Sequence, residues 1–257
     1  MQRVSAPHKQ SWGPHRLLAG RGARRRLRGA CVCAIFVLAG LALHSGIAPA
    51  SNFPVDAIGR LSVDDRSVCT AFVIRSIERR MPDRFGGGAV LFENWIASAG
   101  HCFGTDLVFR TGSATHRIGR VVGYSSGRGS GFDVMVASFV TYSRIEPLEP
   151  AFGEFPAVGD PLLLIGYGGK ALMMRVGPLV RYDERGYMEI HSYASRGNSG
   201  GPVLIPGTRR VVGIGIETTV DRPAGTNHMY CMVAGCAVKP PYVAAPIDAL
   251  KGIADFR

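Results

Sequence analysis

Short apolar runs rich in Val, Ile, Leu and Phe recur roughly every 8–15 residues along most of this chain, separated by Gly, Pro, Asn and Asp. They fall at 68–74, 89–92, 95–97, 107–109, 117–122, 134–139, 161–165, 175–180, 188–191, 202–204 and 211–216. Runs this short, broken this often, leave no room for long helices. The pattern predicts an all-β sandwich or barrel, and 34 glycines and 16 prolines supply the turns it needs. One stretch departs from it: in residues 246–253 the apolar Ile247, Leu250 and Ile253 recur at every third position, which predicts a short C-terminal helix. A length of 257 residues suffices for one large all-β unit or two small domains.

The formal net charge of +11 raises nucleic acid as a partner, but its placement argues against one. Arg3, Lys9, Arg16, Arg21, Arg24, Arg25, Arg26 and Arg28 all precede residue 50, where there is no Asp or Glu, so the remainder carries only about +3. No basic patch with interleaved aromatics follows. The arginine cluster leads into the apolar run 30–43, too short for a comfortable membrane span but of the length of a signal-peptide core. Ala48-Pro49-Ala50 then offers small residues where a signal peptidase reads. Residues 1–50 are therefore expected to be a signal peptide cleaved after Ala50, and the protein to be secreted or periplasmic. The paired arginines also permit a twin-arginine signal. An uncleaved anchor, reaching Ala48 through His44 and Ser45, is the alternative and the only expected contact with a membrane.

Export puts the cysteines in an oxidising compartment. Cys31 and Cys33 leave with the signal. Cys69, Cys102, Cys231 and Cys236 remain, with three possible pairings, of which Cys69–Cys102 with Cys231–Cys236 is the simplest. Their spacing is not that of a zinc site, and no metal is expected.

Three islands carry chemistry. In Asn94-Trp95-Ile96-Ala97-Ser98-Ala99-Gly100-His101-Cys102, a strand ends in small residues and delivers a histidine at a turn. A general base needs such a place, with one ring edge reachable and the other fixed by a partner. In Gly131-Phe132-Asp133-Val134-Met135-Val136-Ala137, a carboxylate heads an apolar strand. In Gly197-Asn198-Ser199-Gly200-Gly201-Pro202-Val203-Leu204, glycines crowd a serine ahead of another strand, so the Gly197 and Ser199 N–H groups can converge on an oxyanion. The chain order His, Asp, Ser is that of one of the three known orders of a nucleophilic triad. His191, close to the serine, is read as an ordinary structural or surface residue, with a place facing the pocket as the alternative, and His116 and His228 are read as surface residues.

On these strings the chain resembles the trypsin-like (chymotrypsin-fold) serine peptidases over about residues 53–254. Residues 87–102 are similar to their histidine block without gaps, Asp133-Val134-Met135-Val136 to their aspartate block, and residues 197–202 to their serine block. Residues 158–168 resemble the strand opening the second barrel, and 211–214 the strand after the serine. Residues 54–61 look like an N-terminal segment of bacterial glutamyl-endopeptidase-like enzymes. HtrA-like enzymes are also close, but the tail after Ser199 is too short for the PDZ domain they usually add. The resemblance implies two antiparallel six-stranded barrels, about 51–145 and 146–257, in a peptidase domain of residues 51–257. It implies a secreted serine endopeptidase acting on polypeptides, with His101, Asp133 and Ser199 as the triad, Gly197 and Ser199 as the oxyanion hole, and no cofactor. Tyr193, Ala194, Ile216, Glu217 and Thr218 are expected to bind substrate.

Three departures refine this. Asn198 stands where classical trypsins carry the aspartate that binds the new N-terminus, so activation of that type is not expected. Tyr193 replaces their specificity acid, and Gly215 replaces the histidine of glutamyl-specific relatives, so neither Arg/Lys nor Glu specificity is supported. Gly86 falls where the usual partner of Cys102 stands, and Cys69, on the preceding strand, is a partner that could reach Cys102 across the sheet; the connectivity is left open. A catalytically silent member serving as a binding module is the alternative function. Oligomeric state is left open.

Overall fold

The computed structural model describes residues 55–63, 67–81, 88–112, 114–127, 131–168, 171–192, 194–218 and 242–256, all C-terminal to the division of the chain between residues 49 and 50. Residues 1–50, expected to be a signal peptide, and Tyr193, His228, Cys231 and Cys236 lie outside the described residues.

Seven strands form the first sheet: β1 (Ile58–Val63), β2 (Ser67–Arg80), β3 (Val90–Ser98), β4 (Val108–Arg110), β5 (Thr115–Arg117), β6 (Arg120–Ser126) and β7 (Asp133–Thr141). Their order is β5-β4-β1-β2-β3-β7-β6, with antiparallel neighbours throughout. β5 and β6 are opposite edges of this sheet, yet only Ile118 and Gly119 separate them in sequence. Three Cα steps reach no further than about 11 Å, so the sheet has to curl until its edges meet. At the corner, Ile118 N–H donates to Leu107 O and Gly119 N–H to Ser138 O, each at 2.9 Å. The expected six-stranded barrel is thus a seven-stranded, curled half-barrel whose edges meet at a corner rather than through a ladder.

Seven further strands form the second sheet: β8 (Glu149–Pro150), β9 (Pro161–Gly168), β10 (Ala171–Tyr182), β11 (Met188–Ile190), β12 (Pro202–Leu204), β13 (Arg210–Thr218) and β14 (Tyr242–Pro246). The order β12-β9-β10-β11-β14-β13 closes on itself because β12 also pairs with β13. That is the six-stranded barrel of expectation, with β8 added in parallel to β13. The C-terminal helix is present as a 3₁₀ helix, Ile247–Gly252. Its buried Ile247 and Leu250 are three residues apart, the spacing at which 3₁₀ side chains eclipse.

Alternating strand residues fill two cores. One holds Phe72, Phe109 and Phe139 of the first sheet and runs on to Leu204, Val211 and Ile214 of the second. The other, inside the closed barrel, is built on Leu162, Leu179, Met188, Ile190 and Val203. The first cluster is continuous between the sheets, so the two halves are packed against each other through apolar surface. His116 belongs to this packing. Its ring stacks on Phe139 at 4.6 Å, near Phe109 at 6.4 Å, and burial pushes its pKa down. It is therefore a half-buried packing residue rather than a surface one, because the β5 corner folds it against β7.

Candidate active site

β3 ends at Ser98, and the chain turns through the 3₁₀ segment Gly100–Cys102. This turn puts the backbone N–H and ring of His101 on the same side, and both meet one carboxylate. His101 N–H donates to Asp133 Oδ1 at 2.7 Å, and His101 Nδ1 lies 2.6 Å from Asp133 Oδ2. An ionised carboxylate only accepts, so Nδ1 carries the proton and Nε2 is the basic edge of the ring. The imidazole side chain is 44% exposed against 12% for the carboxylate, so the acid is sheltered while the base keeps an open edge. Asp133 is the first residue of β7, where β7 runs beside β3. The pairing of β3 with β7, which ends at Ser98 opposite Met135, brings the turn after β3 beside Asp133, 32 residues further along the chain.

The second half of the site comes from the other sheet. Between β11 and β12 the chain passes through residues 194–201, where Asn198 N–H donates to Ser195 O at 3.0 Å and Gly201 N–H to Asn198 O at 2.9 Å. Gly197 has φ +103° and Gly200 φ +84°, values that an L side chain resists. Gly200 has a second reason to be glycine. A Cβ there would lie 2.1 Å from both Ser98 Oγ and Thr70 O. The turn holding Ser199 thus sits directly on the end of the strand that leads to His101.

Thr70, fully buried on β2, forms the joint. Its N–H donates to Ser199 O at 2.7 Å, and its hydroxyl donates to Gly197 O at 2.6 Å and accepts from Tyr167 N–H at 2.8 Å. Its carbonyl accepts from Ser98 Oγ at 2.7 Å. The adjacent Cys69 is disulfide-bonded to Cys102, with Cα atoms 6.3 Å apart. The pairing left open by sequence is therefore made across the sheet for this pair. Cys69 Sγ, Cys102 Sγ and a His101 ring nitrogen fall within 4.8 Å of one another, but both sulfurs are committed to the disulfide and offer no thiolate to a metal.

The family model of the trypsin-like peptidase domain matches residues 69–214, from the disulfide cysteine on β2 to β13. The chain belongs to the trypsin-like peptidase domain family. Among solved structures it is similar to the serine endoprotease from Yersinia pestis, with TM-score 0.54 and 13% identity over 77% of this chain; the match spans 61% of the Yersinia chain. It is also similar to the thermostable serine protease AL20 from an extremophilic microorganism, with TM-score 0.55 and 16% identity over 78% of this chain and 97% of that one. At these identities the likeness is one of fold. No curated protein matches the chain.

The other expected residues of this peptidase domain are placed as follows. Ala194 and Ile216 are buried. Ile216 sits at a register shift of β13, between Gly215 and Glu217, and Glu217 and Thr218 pair with Val243 and Tyr242 of β14. Gly215 has no room for the histidine of glutamyl-specific relatives. A Cβ there would come within 1.4 Å of the Tyr242 hydroxyl oxygen, which fills that space from β14. Asn198 is buried, and a neutral amide costs less to bury than an unpaired carboxylate. His191 is exposed.

Sequence reasoning missed two residues. Thr70 is one of several apolar-flanked positions on a strand, and nothing in its neighbours marks it. Tyr187 belongs to the turn before β11, and its hydroxyl accepts the N–H of Asp133 at 3.0 Å. A lone tyrosine between Gly186 and Met188 carries no signal of a contact 54 residues away.

Proposed function

We propose that the protein is a secreted serine endopeptidase that hydrolyses polypeptides through His101, Asp133 and Ser199. The observation that carries this reading is the double contact of Asp133 with the His101 backbone and ring, next to a serine turn docked on the same strand end. Asp133 holds the imidazole in the tautomer with the proton on Nδ1 and stabilises it once charged. His101 Nε2 takes the proton from the Ser199 hydroxyl as Oγ attacks the scissile carbonyl carbon. The Gly197 and Ser199 N–H groups hydrogen-bond the resulting oxyanion. The imidazolium then protonates the departing amine, and water, activated by the same ring, releases the acyl group. Ala194, Ile216, Glu217, Thr218 and Tyr193 are the residues proposed to meet substrate. Export follows from the N-terminal segment, with cleavage after Ala50, and the Cys69–Cys102 disulfide suits an oxidising compartment.

The test is direct. Wild-type protein is expected to react with a fluorophosphonate and to digest casein, with cleavage sites read from a peptide library. Ser199→Ala should abolish labelling and lower turnover by around 10⁶-fold, the scale seen when such a nucleophile is removed. A folded wild type that neither labels nor cleaves would make the protein a binding module of this fold. N-terminal sequencing of the exported protein tests the proposed cleavage, which an intact residue 1 would contradict.

A further inference from the structure

The oxyanion pair assigned above consists of the N–H groups of Gly197 and Ser199. The carbonyl oxygens of those same two residues, which belong to the next peptide groups, 197–198 and 199–200, are both held by one residue of the opposite sheet. Thr70 Oγ1 donates to Gly197 O at 2.6 Å, and Thr70 N–H donates to Ser199 O at 2.7 Å. We infer that Thr70 is a positioning residue for the turn that carries the oxyanion-binding N–H groups, its hydroxyl fixing peptide 197–198, which lies between the two peptides that bear them; the inference rests on the peptidase reading of the site.

The physical case starts from glycine. Gly197 has φ +103° and no side chain to bias its backbone, so its peptide planes turn easily unless something holds them. The Thr70 hydroxyl holds one of them, peptide 197–198, from across the domain, and so limits how the flanking peptides that carry Gly197 N–H and Ser199 N–H can turn. The hydroxyl is fully used, donating to Gly197 O and accepting from Tyr167 N–H, and no water reaches it because Thr70 is fully buried. Its direction is fixed, since a β-branched side chain has few rotamers and both partners are backbone groups. Gly166, next to Tyr167, leaves the space the hydroxyl needs, because a Cβ there would lie 3.1 Å from Thr70 Oγ1. Through the neighbouring Cys69–Cys102 disulfide, the same dipeptide is bonded to the residue after His101. Base and oxyanion donors are thereby referred to one point of β2.

The test compares the full-length exported protein with Thr70→Val, Thr70→Ala and Thr70→Ser. Each is followed for the second-order rate constant of fluorophosphonate labelling, the fraction labelled at completion, and kcat and KM on a peptide cleaved by wild type. Val and Ala lack the hydroxyl, and Ser keeps it. The expected result is a labelling rate constant and kcat lower by roughly tenfold to a hundredfold in Val and Ala, the range that follows from slight misplacement of reacting groups. KM should stay within about twofold, and Ser should recover most of the rate. A merely structural role would lower the melting temperature and the fraction labelled, but leave the rate constant of the labelled molecules at the wild-type value. That outcome, or a Ser variant as slow as Val and Ala, overturns the assignment. Should Val fail to fold, Ala, which adds no bulk, gives the same reading. A folded wild type that does not label would instead remove the peptidase reading and this inference with it, whereas equal rates in wild type and hydroxyl-free variants remove only the role of Thr70.

Discussion

The phenol oxygen of Tyr187 accepts a hydrogen bond from the backbone N–H of Asp133 at 3.0 Å, so the turn leading into β11 of the second sheet holds the residue whose carboxylate contacts His101, in the turn after β3 of the first. The phenol also packs edge-on to Phe132 at 4.9 Å, and burial raises its pKa. It therefore stays protonated and keeps its position across the neutral range.

Tyr187→Phe removes the acceptor and keeps the ring. The Asp133 N–H is then buried without a partner, which costs about 1–3 kcal/mol. Urea unfolding should show that loss, and fluorophosphonate labelling should slow by roughly tenfold as the carboxylate shifts under His101. Labelling at the wild-type rate would reduce Tyr187 to a packing residue.

The Cys69–Cys102 disulfide closes a loop of 33 residues. Chain-entropy reasoning for a loop of that size gives about 3–4 kcal/mol. A Cys69→Ala, Cys102→Ala double variant should lose that much stability in denaturant titration, and the turn carrying His101 should lose protection from hydrogen exchange. Unchanged stability would mean that the apolar packing around β2 holds the turn without the covalent link.

His116 is expected to contribute to acid sensitivity of the domain. Its folded pKa lies below the ordinary 6.5, because burial beside Phe109 and Phe139 disfavours the charged ring. The unfolded chain binds the proton more readily, so this contribution is fully present above pH 6.5 and is lost as pH falls through the folded value. Melting temperatures measured across that interval should fall more steeply for wild type than for His116→Phe. Parallel curves would contradict the assignment.

Gly200→Ala would place a methyl group 2.1 Å from Thr70 O and Ser98 Oγ in a backbone at φ +84°. The conformation alone costs roughly 1–2 kcal/mol, and the clash with a backbone carbonyl adds to it. Labelling should be lost even where the protein still folds, because the serine turn has to lift off the strand end. An active Gly200→Ala variant would show that this contact is looser than its geometry.

Much of the second sheet was legible as a pattern. The apolar runs at 161–165, 202–204 and 211–216 lie within β9, β12 and β13, and 188–191 overlaps β11, since burial on a barrel interior requires continuous or alternating apolar residues. The first sheet was harder. Runs 89–92 and 95–97 are one strand, β3, because Asn94 between them is not a turn: its side chain donates to Thr141 Oγ1 at 2.8 Å inside the sheet. The run 117–122 is instead divided, at Ile118 and Gly119, between the two edges of the sheet. The polar half of β2, residues 75–80, reads as loop but pairs with β3. Of the site, His101, Asp133 and Ser199 stood out through their flanking strings. Thr70 and Tyr187 did not, because their meaning lies in partners supplied by the other sheet.

β12 is three residues long, begins immediately after Ser199-Gly200-Gly201, and is the strand that pairs with both β9 and β13 to close the ring. The proposed nucleophile is thus mounted on the clasp of the barrel. A clasp cannot open without carrying its mount along, so the smallest excursion that unfastens the ring also dismantles the chemistry. Under the peptidase reading, loosening of the ring and loss of cleavage are expected to coincide.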